Sequence, residues 1–284
     1  DSIHISGNLS LTAGELETDA STVIAGDVNI LPGALFENFS KIWVGGNWNN
    51  SGTYTSITDG TNVVFNGAGS QSISATTFHD LEINKPVGSV ATLTGDVILK
   101  GNLIGTSGTL DIKSFFFNRD NTGGSAIIQD NGTLIIAADN APNKFSSYVL
   151  GPASTVIFNG TGAQHLLLPG IVYGNIRFRN SRTKTLYTPI SVNGDLTIES
   201  GATFNGGSNT ITLNGNWTND GTYVPATSTV FCAGNLKNIS GNNTLHRLTV
   251  PGSYTMLNNN TINQLLRITS TGNIQGGVNI VHTM

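Results

Sequence analysis

Val64-Phe65-Asn66-Gly67-Ala68-Gly69-Ser70-Gln71-Ser72-Ile73 returns further along the chain as Ile157-Phe158-Asn159-Gly160-Thr161-Gly162-Ala163-Gln164-His165-Leu166. A third, worn copy runs from Val230-Phe231-Cys232-Ala233 to Lys237-Asn238-Ile239. Phe158 lies 93 residues after Phe65 and Phe231 lies 73 after Phe158, intervals that differ by 20. A unit of that length is therefore gained or lost whole. A shorter signal keeps the same beat: Gly, then Asn or Asp, then a large apolar residue. It occurs at Gly7-Asn8-Leu9, Gly26-Asp27-Val28 and Gly46-Asn47-Trp48, then at Gly194-Asp195-Leu196 and Gly215-Asn216-Trp217. A chain that tolerates such an exchange is a coil of equivalent rungs, each burying its apolar edges against its neighbours.

Local pattern agrees with the repeat. Apolar and polar residues alternate over three to five positions, as in Leu81-Glu82-Ile83, Leu196-Thr197-Ile198 and Ile211-Thr212-Leu213, before Gly, Asn or Pro intervenes. That is the period of short strands, and no stretch of ten residues shows a helical stripe. Asn-Gly at 66–67, 159–160, 193–194, 205–206 and 214–215 is also a hairpin signal. The 20-residue exchange nevertheless favours coiling over hairpins. The expectation is an all-β chain forming a single β-solenoid, a right-handed parallel β-helix of about 14 rungs of ~20 residues. It runs continuously over 1–284, with an irregular extra rung and loop at 113–150. Phe115-Phe116-Phe117 in that region reads as a stacked aromatic layer.

Composition narrows function by exclusion. Of 284 residues, 13 are Lys or Arg and 17 Asp or Glu, leaving a net charge of −4, while Gly reaches 35. Nucleic-acid binding calls for a basic stripe, which is absent. No apolar run approaches the ~20 residues of a membrane helix, so membrane insertion is not expected. Cys232 is the sole cysteine and stands where Asn66 and Asn159 stand in the other copies, which marks it as a repeat variant. The chain begins within a repeat and reads as a piece of something longer; Asp1–Leu11 and Gly277–Met284 show no capping helix.

Chemistry-bearing residues are few. Glu15, Glu17 and Asp19 lie close together, and residues two apart on a strand share a face, so a carboxylate pair of the glycosidase kind is conceivable there. No anchoring Arg or nearby base accompanies them, and solvated corner residues are the favoured reading. His79 and His246 occupy matching repeat positions, which suits a corner role better than metal ligation. Trp48 and Trp217 fall inside a repeated string, Gly46-Asn47-Trp48-Asn49-Asn50-Ser51-Gly52-Thr53-Tyr54 and Gly215-Asn216-Trp217-Thr218-Asn219-Asp220-Gly221-Thr222-Tyr223, and so point to packing before sugar stacking. No cofactor and no metal are expected. Arg177, Arg179, Arg182 and Lys184 alone gather charge where the repeat requires none. Guanidinium groups suit carboxylated or sulfated sugars, so these four are the candidate contact with an anionic glycan.

The strings at 46–54 and 215–223, together with Val63–Ile73 and Val156–Leu166 and with Phe78-His79-Asp80-Leu81-Glu82-Ile83, resemble a repeat of very large secreted Bacteroidetes surface proteins. These include giant gliding-motility adhesins exported by the type IX secretion route. The resemblance covers most of the chain, is weakest over 113–150 and 250–284, and carries over no catalytic residue. It implies a secreted, extracellular cell-surface setting. The expectation is a non-catalytic structural or adhesive segment, acting as an extended stalk or a weak, multivalent binder of surfaces or polysaccharides, or of other copies or segments of the same protein. A polysaccharide lyase or glycosidase on a β-helix and a self-assembling fibre subunit are the alternatives.

Overall fold

The computed structural model describes residues 2–56, 60–139, 141–166, 170–276 and 280–282. Among them there is no helix. Every strand pairing is parallel, and the strands stack as a β-solenoid of about 13 turns. The chain divides into two compact units, Asp1–Ile135 with Pro142–Gly151 and Ile136–Ala141 with Pro152–Met284.

In the first unit each early turn carries three short strands. Ser2–Ile5, Leu9–Leu11 and Gly14–Thr18 are followed by Ser21–Ile24, Val28–Ile30 and Ala34–Asn38, paired strand on strand. Register shows the coil directly: Ser2 pairs with Ser21, Thr22 with Ile42, and Leu103 with Ala126. Steps vary around the 20-residue rung: 18 residues separate Asn62 from Asp80, and 23 separate Leu103 from Ala126. Alternation sends Ile42, Val63, Leu81 and Leu103 inward in one column and Val44, Phe65 and Ile83 in the next. The 113–150 region supplies the strands Phe117–Arg119, Gly123–Ile136 and Phe145–Leu150. Its three phenylalanines do not form one layer: Phe117 is buried, whereas Phe116 is half exposed.

The second unit repeats the scheme with strands Thr155–Phe158, Asn175–Phe178, Leu196–Ile198 and Trp217–Asn219 on one face. Phe178 and Phe204 stack inside it with centroids 4.2 Å apart.

The repeated strings are corner chemistry. Asn8 Oδ1 accepts the amide of Asp27 (2.8 Å), and Asp27 Oδ1 accepts that of Asn47 (2.6 Å). In the second unit Asn175 serves Asp195 (2.9 Å), and Asp195 serves Asn216 (2.7 Å). Each Asn or Asp thus reaches one turn up. The preceding glycine follows from this, because a Cβ on Gly26 would collide with Asn8 Oδ1 and one on Gly46 with Asp27 Oδ1.

The Trp-x-Asn string closes the same way. Trp48 Nε1 (2.9 Å) and Asn50 Nδ2 (3.3 Å) both donate to Thr76 Oγ1. Trp217 Nε1 (2.8 Å) and Asn219 Nδ2 (3.0 Å) converge on Asn243 Oδ1. Tyr54 and Tyr223 then sit edge-on to their tryptophans, each at 4.9 Å. Both indoles are essentially without solvent exposure, so packing is their role.

Candidate functional site

Strand alternation places the basic segment. Ile176 and Phe178 face the core, which turns Arg177 and Arg179 outward. Arg177 is in register with Thr197, and Asn175 with Thr155. Together Thr155, Asn175, Arg177, Asp195 and Thr197 line an open, polar groove of ≈ 280 Å³ on the second unit.

The arginines are not bare charges. Glu199 Oε1 accepts from Arg177 Nη2 at 2.6 Å and from Arg179 Nε at 2.7 Å. All three side chains remain partly exposed, so this tie is screened by water. Arg182 is exposed on the corner that follows and adopts a left-handed backbone (φ 96°), as does Asn180 (φ 61°).

Lys184 does not join them at the surface. It is in register with Phe204 and fully buried, and its ammonium donates to the carbonyls of Gly160 (3.1 Å), Asn180 (2.9 Å) and Arg182 (3.3 Å). Burial lowers its pKa. Its charge is spent on two carbonyls of the corner that presents Arg182 and one of the turn before, so it is a positioning residue. Of the four basic residues, the structure brings Arg177 and Arg179 together on Glu199, sets Arg182 on the next corner, and turns Lys184 inside.

Lys85 has a similar place in the first unit. It is buried, and its ammonium donates to Gly67 O (2.6 Å) and to Gln71 Oε1. Desolvation brings its pKa down to about 8. Neither lysine is recognisable as a buried cation from its neighbours in sequence, because the acceptors are main-chain oxygens and one carboxamide.

The acidic segment gains a member. Glu15 and Glu17 are exposed on Gly14–Thr18, and the parallel register sets Glu17 beside Glu37. A hydrogen bond with Glu37, and then its charge, raise the Glu15 carboxyl above the ordinary range. Glu37 follows Glu17 by one 20-residue step, so the repeat period itself was the signal for it. The third tryptophan, Trp43, is half buried and faces out; Lys41 Nζ lies 5.1 Å from its ring and 3.1 Å from Glu82 Oε2. Cys232 is buried, which pushes its thiol pKa up.

Chemically, the groove offers two threonine hydroxyls, guanidinium donors and a carboxylate acceptor on a stiff sheet. That set suits reversible contact with a hydroxyl-rich or charged ligand. The chain matches no known protein family, no curated protein and no solved structure.

Proposed function

We propose that this chain is a non-catalytic structural and adhesive segment of a protein displayed on the outside of a cell, contacting extracellular surfaces or polysaccharides through many weak sites. One observation carries the reading: the repeated motif residues are consumed in the scaffold. Asn, Asp, Gln and Trp side chains of the repeats bond from turn to turn, which leaves the outward strand positions free to vary. A scaffold of that kind presents repeated shallow surfaces, and such sites gain by multivalency. The resemblance of its repeats to those of giant secreted adhesins supports the extracellular setting. The groove at Arg177 is the glycan contact on this reading, with Arg179 and Arg182 flanking it and Lys184 holding the adjoining corner.

The test is to incubate the purified chain with beads carrying neutral and anionic polysaccharides and to analyse the supernatant for oligosaccharides. Retention without released product is the expected outcome. Released product would replace the adhesive reading with a catalytic one.

A further inference from the structure

We infer that the groove of Thr155, Asn175, Arg177, Asp195 and Thr197 takes an uncharged sugar residue through two neighbouring hydroxyls, in preference to a carboxylated or sulfated one. This rests on the glycan-binding reading above and names its ligand class.

The first argument is charge. Within the groove lining Arg177 stands against Asp195, and beside it Arg179 is tied to Glu199, so the lining carries no excess charge; Arg182, exposed on the next corner, is a cation outside that balance. A polyanion is drawn by an excess of positive charge, and the groove lining has none.

The second argument is the pattern of free hydrogen-bonding groups. Asn175 is fully committed: its Oδ1 accepts Asp195 N, and its Nδ2 donates to Ala153 O and Ser154 O. Asp195 takes both of its hydrogen bonds, from the amide and side chain of Asn216, on Oδ1. Its second carboxylate oxygen is left to accept from a ligand. Arg177 meets Glu199 through Nη2 and also lines the groove; its Nε is buried, so the terminal nitrogens are the donors it can offer a ligand. Thr155 and Thr197 each add a hydroxyl that can donate or accept. A vicinal diol fits this set, one hydroxyl accepting from Arg177 while its neighbour donates to Asp195. A sugar carboxylate or sulfate in the same place would lie against the Asp195 anion.

Affinity gel electrophoresis of the whole chain tests this, with dextran and mannan as neutral probes and polygalacturonate and chondroitin sulfate as anionic ones. A neutral glycan is expected to retard the protein more than either anionic glycan. Thr197→Val, which stays β-branched on an outward position, and Arg177→Met are each expected to weaken that retardation about tenfold, the worth of one hydrogen bond to a charged or polar partner. Asp195→Asn keeps the acceptor for Asn216, and it should weaken dextran or mannan binding while admitting polygalacturonate. Stronger retardation of the unaltered chain by polygalacturonate would overturn the ligand class and leave glycan binding standing. Neutral retardation indifferent to both Thr197→Val and Arg177→Met would remove the site. No retardation by any of the four would end the glycan reading and this inference with it.

Discussion

The hydroxyl of Tyr254 makes, in the third copy of the repeat, the bonds that the carboxamide of Gln71 makes in the first. Gln71 Oε1 accepts Gly67 N at 3.1 Å, and its Nε2 donates to Val44 O at 2.9 Å and to Gly46 O. Tyr254 Oη accepts Gly234 N at 3.3 Å and donates towards Leu213 O (2.9 Å) and Gly215 O (3.0 Å). Gln164 repeats the first solution with Gly160, Ile136 and Ala138. The worn copy carries Lys237 where the others carry Gln, and a residue of the following turn, in register with Lys237, fills the gap. The corner, not the residue, is what recurs.

Tyr254→Phe should therefore cost more than loss of an ordinary surface hydroxyl. The ring still packs, but the Gly234 amide and Gly215 O lose their side-chain partner, while Leu213 O keeps the amide of Ala233. The expected loss is about 1–3 kcal/mol, the desolvation cost of stranded buried groups. Urea unfolding measures it, and an unchanged midpoint would mean that water takes the place of the hydroxyl.

Stability should rise with pH above about 8. Lys85 has its folded-state pKa lowered to about 8 from 10.5 by burial. Between those values the unfolded chain binds the extra proton, so raising pH favours the folded state. The bonds to Gly67 and Gln71 hold the ammonium and limit the gain to the order of 1–2 kcal/mol. Tyrosines act the other way: burial raises Tyr54, Tyr223 and Tyr254, so their contribution is lost as pH climbs beyond 10. Buried Lys184, lowered like Lys85, adds to the rise, while the buried thiol of Cys232, raised, erodes it above the ordinary thiol range. A melting temperature that rises above pH 8 and falls above 10 is expected, and Lys85→Met should lessen the rise. A flat profile through pH 9.5 in the unaltered chain would contradict it.

The coil was legible because its cause is written at rung after rung in both units. The Gly-Asn steps mark corners that must lack a Cβ, and the 20-residue exchange admits few other architectures. The indole–carboxamide pair of Trp48 and Asn50 was visible as a motif, although its acceptor Thr76 was not, since nothing local ties Thr76 to a residue 28 positions earlier. The basic segment was legible only in part. Alternation correctly turned Arg177 and Arg179 outward, yet the same alternation turns Lys184 inward, and its charge hid that. Glu199 was invisible as their partner until register placed it one turn on. The 113–150 region followed least: Phe116 and Phe117 point opposite ways, as neighbours on or beside a strand do, and composition alone cannot show which is in.

Glu37→Gln should raise the melting temperature at pH 7. Glu17 and Glu37 stand side by side on adjacent strands, ~4.8 Å apart by sheet spacing, with Glu15 hydrogen-bonded to Glu37. Because the Glu15 pKa is raised, its contribution to stability is present at acid pH and is lost as pH rises through the raised value. Removing the Glu37 charge relieves that loss. The gain should vanish near pH 4 and shrink in high salt, as exposed charge pairs do. Differential scanning calorimetry at the two pH values decides it; equal gains at pH 4 and pH 7 would assign the effect to something other than charge.

Arg119→Leu should stabilise the protein. The strand Phe117–Arg119 is in register with Val97–Leu99, which puts Arg119 in line with the buried Leu99. Arg119 is itself buried, and among the described residues only its Nη2 finds an acceptor, Lys100 O. Nε and Nη1 have none among the described residues, and Nη1 lies close against Gly123 and Gly124. A buried charge with two unanswered donors costs more than the one bond it makes, whereas leucine would continue an apolar column. The net gain should be about 1–3 kcal/mol, read as a higher urea midpoint with an unchanged slope. A lower midpoint would show instead that the guanidinium holds the Gly123-Gly124 turn in place, and Arg119→Lys, which keeps the charge but not the planar fork, would then be equally destabilised.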